Sequence, residues 1–166
     1  MTQHGIKEHS HGGNVPIQTR SERPRSTSVA DFAEINKLQE IWRYLPVDQL
    51  RGLGDDVMGE ISEGDVSLKL GSGISANWVQ SSSDVVGKAG LPEDRASAAA
   101  WTNASKTLLV TVPDELESKE ASLITLKPAA TEAQAAHIVI DLGKFARATI
   151  VLDHVGQGVL GENVEL

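Results

Sequence analysis

Apolar and polar residues alternate in short segments over the second half of the chain. Alternation with a period of two is typical of strands that bury one face. It predicts strands at 108–112, 122–126, 137–142, 148–154 and 163–166, and two shorter ones at 66–70 and 76–79. The centres of the last three, near Val139, Val151 and Val164, are almost evenly spaced along the chain. Regular short strands favour an antiparallel sandwich or a β-solenoid, and the pattern alone leaves both open.

Helical patterns precede most of these strands. Ser28 and Asp31 have the spacing of a capping box, and a helix that begins there is expected to end before Pro46. A second helix is predicted from Pro92 to about Trp101, because acidic residues and then alanines follow the proline. The apolar residues that recur at helical intervals in the first helix are Phe32, Ile35, Leu38 and Trp42.

Three regions are expected along the chain. Residues 1–26 have almost no apolar content, which is typical of a disordered tail. Residues 27–105 form a mixed region with the predicted helices, and residues 106–166 are the β-rich part. The strand-like pattern continues to Leu166 without a polar cap, so we expect the β-rich part to be incomplete at its C-terminal end.

Composition and charge exclude several classes of protein. The net charge of -8 gives no basic face for nucleic acid. The absence of cysteine excludes a disulfide framework, a thiolate nucleophile and any cysteine-ligated zinc or cluster in this segment. No apolar run approaches the roughly 18 residues of a membrane helix, and the first residues lack the apolar stretch of a secretory signal, so we expect a cytoplasmic protein.

Three residues are candidates for a metal site. His137 and Asp141 are four apart in one predicted strand and therefore share a face, and His154 lies in the next strand. Stacked strands would bring an imidazole and carboxylates together as ligands. The alternative is that these positions are solvated outward residues, and the pattern favours that alternative.

Other motifs weigh against an enzyme. The glycines at Gly71 and Gly73 lack the rest of a nucleotide-binding fingerprint, and no serine lies in a nucleophile elbow. The cluster of Trp42, Arg43 and Tyr44 has the composition of a binding hot spot, but the helical pattern favours packing of Trp42 into the core.

Three stretches resemble the SufD members of the SufB/SufD family, particularly the actinobacterial ones. They are residues 40–53, residues 89–113 and the strands from His137 to the end, which together span residues 28–166. The family typically has threonine where this chain has Leu45. The motif residues in these stretches are Glu40, Trp42, Arg43, Tyr44, Pro46, Leu50, Pro92, Glu93, Asp94, Arg95 and Asn163.

The resemblance implies a mainly β fold with N-terminal helices, in which residues 106–166 are the first turns of a right-handed parallel β-helix. It also implies a non-catalytic scaffold subunit of iron–sulfur cluster assembly that pairs with SufB and the ATPase SufC. The partner interfaces would lie beyond Leu166, and the cluster would belong to the whole complex, with no cofactor in this segment. Two alternatives stay open: a self-associating structural β-solenoid with an open end, and a β-helix acyltransferase.

Overall fold

The computed structural model describes residues 24–129 and 131–166. Most of the tail expected at residues 1–26 therefore lies outside the described residues. Among the described residues, no helix is both long and apolar enough to cross a lipid bilayer.

The described chain is mainly β, with eight strands and a single α-helix. Within residues 24–129, three short 3-10 turns precede the first strand at Val29–Asp31, Glu40–Trp42 and Val47–Gln49, and a fourth lies at Glu63–Asp65. The regular elements in chain order are β1 (Gly59–Glu60), β2 (Val66–Lys69), β3 (Ser75–Gln80), α1 (Arg95–Asn103), β4 (Lys106–Val112), β5 (Ser122–Leu126), β6 (Ala133–Leu142), β7 (Ile150–His154) and β8 (Val159–Glu165).

The strands form two sheets. The larger sheet contains β3, β4, β6 and β8, with β1 paired to the start of β6, and it is curled like half of a barrel. The smaller sheet has the order β2-β5-β7. From β4 to β8 the chain alternates between the two sheets, so β6, β7 and β8 each lie beside the strand two before it. Strands from residues 59–80 pair with the later ones, and the division of the chain at residue 105 stays a prediction.

The pairing of the later strands is parallel. In the larger sheet Leu108 pairs with Ile138, and Ile138 pairs in turn with Val164. In the smaller sheet Ser122 pairs with Ile150. The antiparallel pairs are β2 with β5 and β3 with β4. Each strand predicted from alternation overlaps an observed strand, although β6 and β8 both begin four residues before their predicted start. The last three predicted strands, which are evenly spaced along the chain, lie alternately in the two sheets.

The main core lies between the two sheets. Its fully buried members come from alternate positions of β4, β5 and β6, as a period of two requires. The largest of them are Leu108, Val110, Val112, Ile124, Leu126 and Ile138.

Helix α1 covers the outer face of the larger sheet, where it packs on β6 and β8. It begins at Arg95, three residues later than predicted, because the Asp94 side chain accepts a hydrogen bond from the Ser97 amide (2.9 Å) and caps the helix. Ala98 and Ala99 are buried in a cluster with Val29 and Phe32, and Ala100 is buried against Ala135 of β6, where its small side chain allows the helix and the sheet to approach closely.

The prediction of a helix from Ser28 towards Pro46 is wrong. The Asn36 side chain accepts a hydrogen bond from the Leu38 amide (2.9 Å) and donates to the Glu34 carbonyl (3.0 Å), so it replaces the helical bonds at this point. Ser28 makes no side-chain cap, and the chain forms isolated 3-10 turns instead. Phe32 and Trp42 are buried, but Leu38 of the predicted stripe is 90% exposed.

Candidate functional site

Two of the stretches singled out in the sequence meet at one surface cleft. Residues 40–42, in the second 3-10 turn, form one side, and residues 93–95, at the start of α1, form the other. Pro24 and residues 31–33 complete the walls. The motif residues that line this cleft are Glu40, Trp42, Glu93, Asp94 and Arg95.

Arg95 holds the walls of the cleft together. Its guanidinium donates hydrogen bonds to the carbonyls of Gly54 (2.8 Å), Phe32 (3.0 Å) and Val29 (3.2 Å). It also forms an ion pair with Asp56 at 2.6 Å. Since its side chain is mostly buried, Arg95 fixes two separate backbone segments, residues 29–32 and Gly54, to the first turn of the helix.

The cleft is acidic. Glu93 forms an ion pair with Arg25 (2.9 Å), and Asp31 accepts a hydrogen bond from the Ser26 hydroxyl. Asp94 is engaged as the cap of α1, whereas Glu40 is exposed and forms no ion pair with a described residue. The arrangement places carboxylates around an apolar floor and is suited to binding a cation.

The residues around Trp42 divide between packing and exposure. Trp42 is only 8% exposed, so the prediction that it packs is confirmed. Arg43 and Tyr44 are exposed on the surface beside it. Of the other motif residues, Pro46 is exposed, Leu50 is half-buried and Pro92 is buried. Asn163 of β8 donates to the Ser97 carbonyl of α1 (3.0 Å).

A second group of polar residues lies between α1 and the larger sheet. His137 of β6 is 1% exposed and stacks at a tilt on the ring of Trp101, with 4.3 Å between ring centroids. Its Nε2 lies 2.7 Å from Oε1 of the buried Glu165 of β8. That carboxylate also accepts hydrogen bonds from the amides of Gly87 (2.9 Å) and Ala89 (3.3 Å). Glu165 therefore fastens the loop before α1 to the sheet.

Burial lowers the pKa of His137 below its ordinary value, and the hydrogen bond and charge of Glu165 oppose this shift only in part. The imidazole is then neutral near pH 7, with its proton on Nε2 and donated to Glu165. Nδ1 is the unprotonated nitrogen, and it is buried without a hydrogen-bond partner among the described residues. The alternation of the strand favoured a solvated, outward position for His137. That prediction is wrong, because α1 covers this face of β6.

The lowered pKa of His137 predicts a loss of stability in mild acid. The unfolded chain binds the proton near pH 6.5 and the folded chain only at lower pH, so the free energy of unfolding falls as the pH drops below about 6.5. The loss from this one group reaches at most about 1.4 kcal/mol per pH unit. We expect the His137→Gln variant to lack this part of the pH dependence in urea unfolding at pH 7.5 and 5.5. The assignment would be contradicted if the free energy of unfolding of His137→Gln fell between pH 7.5 and 5.5 by as much as that of the unaltered chain.

The three candidate metal ligands are not brought together. His137 bonds to Glu165, Asp141 is exposed at the end of β6, and His154 of β7 lies 2.8 Å from Glu162. Within residues 24–129 and 131–166, no group of three or more histidine and acidic side chains is placed to hold a metal ion.

Sequence reasoning missed Glu165, Arg25 and Asp31. Glu165 is in a strand, and the pairing of Val139 with Glu165 places it on the helix-covered face. The alternation in residues 162–165 signals which residues share a face, but no local signal indicates that α1 covers that face. Arg25 reaches Glu93 across 68 positions of the chain, a contact that no short motif reveals.

These observations define a mainly β protein with a helix on its outer face and an acidic surface cleft, in which most of the buried polar side chains fasten loops and turns. The chain is 30% identical over 129 residues to an iron–sulfur cluster assembly SufBD family protein of Mycobacterium leprae, which covers 76% of this chain and 32% of that protein. The corresponding proteins of Mycobacterium bovis and Mycobacterium tuberculosis are 30% identical over 127 residues.

The chain is therefore similar to SufBD family proteins over most of its length, and these similarities do not distinguish SufD from SufB. The chain spans about a third of the length of the curated relatives it matches, with 32% of each covered. No protein-family model and no solved structure matches the chain.

Proposed function

We propose that this chain is a non-catalytic scaffold segment of an iron–sulfur cluster assembly protein of the SufD type. The observation that carries the proposal is the similarity to SufBD family proteins, which extends over 76% of the chain. The partners would be a SufB-like protein and a SufC-like ATPase, with the principal interfaces formed by parts of the protein outside this chain. Its place of action would be the cytoplasm.

The stacked strands are, in this proposal, the opening turns of a right-handed parallel β-helix. Two strands make one turn, and successive turns are in register in the pairs Leu108 with Ile138, Ser122 with Ile150, and Ile138 with Val164. The corners repeat as well, because Glu115 and Phe145 occupy equivalent positions and have φ angles of 61° and 59°. A long turn made of two strands disfavours an acyltransferase built from hexapeptide repeats.

The stacking of these corners supports the β-helix interpretation. The Gly143 amide donates to the Val112 carbonyl (2.8 Å), and the Glu115 amide donates to the Lys144 carbonyl (2.8 Å). Each turn of the chain is therefore bonded to the previous one at the corner as well as along the strands.

Iron–sulfur clusters would be cargo of the whole assembly. The chain contains no cysteine, so none of its 166 residues supplies a thiolate to a cluster. Its buried polar side chains, Arg95 and Glu165 among them, support loops and turns. ATP hydrolysis would come from the SufC-like partner.

Depletion of this protein from the cells that make it tests the proposal. We expect the activity of iron–sulfur enzymes per molecule of polypeptide to fall several-fold, because apoenzyme accumulates when cluster assembly is impaired. Enzymes without a cluster, assayed in the same extracts, are the control. Unchanged cluster loading after depletion would contradict the proposal.

A further inference from the structure

The segment of residues 38–45 exposes more apolar surface than its neighbours. Its four exposed apolar residues leave large side chains in solvent beside a buried tryptophan, although the sequence has the pattern of an amphipathic helix. Contiguous exposed apolar residues of this kind indicate an interaction surface. The residues and their exposed fractions are Leu38 (90%), Tyr44 (87%), Ile41 (44%) and Leu45 (44%).

The acidic cleft continues directly from this segment. Ile41 belongs to both, because it lines the cleft and is also half exposed. Phe32 and Trp42 give the cleft an apolar floor, and Glu40 at its wall has no ion-pair partner among the described residues. An apolar surface therefore borders an opening that holds uncompensated negative charge.

We propose that residues 38–45 and the acidic cleft form one docking surface for a cationic amphipathic segment of a partner protein. Apolar side chains of that segment would cover Leu38 and Tyr44, and a lysine or arginine would enter the cleft to pair with Glu40. Tyrosine is enriched at the centres of interfaces, and arginine is the charged residue most often found there. Docking here is independent of the proposed role in cluster assembly, since the purified chain is sufficient to measure it.

Charge disfavours a second copy of this chain, nucleic acid and anionic membranes as occupants. A second copy of this chain carries the same net charge of -8, and its cleft would present carboxylates to carboxylates. Nucleic acid and anionic membranes are disfavoured in the same way, because their phosphates would face Glu40 and Asp31.

A synthetic peptide tests the surface with the purified 166-residue chain. The probe is a fluorescein-labelled peptide of about 14 residues, built from leucine and lysine in the pattern of an amphipathic helix. One comparison peptide replaces leucine with glycine and keeps the charge, and another replaces lysine with glutamate and keeps the apolar face. Fluorescence anisotropy gives the Kd of each peptide at several salt concentrations.

We expect the leucine–lysine peptide to bind most tightly, and Tyr44→Ala and Glu40→Gln each to weaken its binding about fivefold. The matched controls are Phe145→Ala, which removes an aromatic side chain that is 89% exposed on another surface, and Glu117→Gln, which removes an exposed carboxylate there. Both controls are expected to bind as the unaltered chain does, and thermal melts establish that all four variants are folded.

Equal weakening by the control variants would overturn the proposal, because binding would then follow total charge and not this surface. If the glycine–lysine peptide bound as tightly as the leucine–lysine peptide, the proposed role of the exposed apolar residues would be overturned. Sedimentation that reveals dimers lost in Tyr44→Ala would assign the surface to a second copy and would also overturn it.

Discussion

Replacing Gly143 with alanine is expected to lower the free energy of unfolding by about 3 kcal/mol, at the upper end of the cost of overpacking. A Cβ at this position would lie 2.3 Å from the Asp114 amide nitrogen and 2.5 Å from the Pro113 carbonyl carbon. Both are backbone atoms of the preceding corner, so they cannot move aside as a flexible side chain would. The turn between β6 and β7 must then lift away from the turn between β4 and β5. The hydrogen bond from the Gly143 amide to the Val112 carbonyl weakens as a result.

The matched control for this prediction is Gly64→Ala. A Cβ at Gly64 meets only the Ser62 hydroxyl at 3.7 Å, so we expect a change within about 0.5 kcal/mol. Equilibrium unfolding in urea, followed by tryptophan fluorescence, measures both variants. Equal stabilities for Gly143→Ala and Gly64→Ala would contradict the close stacking of the two turns.

Arg95→Met is expected to cost about 3 kcal/mol of stability, because each buried carbonyl left without a donor carries a desolvation penalty. Methionine keeps much of the apolar stem and removes the donors to the Gly54 and Phe32 carbonyls, whereas the Val29 carbonyl keeps its hydrogen bond from the Phe32 amide (3.1 Å). The ion pair with Asp56 adds little, since the Asp56 side chain is mostly exposed. We expect the segments on either side of the cleft to exchange amide hydrogens faster in the variant.

Arg43→Met separates this structural role from a general effect of removing an arginine. Arg43 is exposed beside Trp42, and its replacement is expected to change the free energy of unfolding by less than about 0.5 kcal/mol. A loss for Arg95→Met no larger than that for Arg43→Met would mean that the Gly54 and Phe32 carbonyls find other donors.

The strands could be predicted from the sequence because alternation is local. The predicted segment at 122–126 matches β5, and 66–70 and 108–112 differ from β2 and β4 by one or two residues at an end. The prediction for β6 begins four residues too late, at His137 instead of Ala133. Alanine and glutamine have low strand propensity, and residues 133–136 form a strand because they are buried between the core and α1.

Periodicity alone could not show whether the N-terminal segment is helical. Phe32, Ile35, Leu38 and Trp42 have helical spacing, but the Asn36 side chain provides competing hydrogen bonds. Asparagine favours such turns, so its place inside the stripe is the sequence signal that weighed against a helix. The partner strands of each sheet, and their parallel direction, depend on contacts between segments far apart in the chain, which no local pattern contains.

The candidate site was predictable only in part. Residues 40–46 and 92–95 were singled out separately, and their meeting at one cleft results from the path of the chain between them, which no local pattern contains. The pairing of His137 with Glu165 depends on the register of β6 and β8 and on the cover provided by α1. Alternation places a histidine on one face of its strand, but it does not indicate which face a helix will cover.

Cluster loading in depleted cells that re-express a variant of this protein tests the central claim most directly. The measurement is the activity of an iron–sulfur enzyme per molecule of its polypeptide, after depletion and re-expression of the unaltered protein, Gly64→Ala or Gly143→Ala. A scaffold segment predicts full recovery with the first two and little recovery with Gly143→Ala, whose stacked turns are disrupted. Full cluster loading in depleted cells without any re-expression would contradict the account.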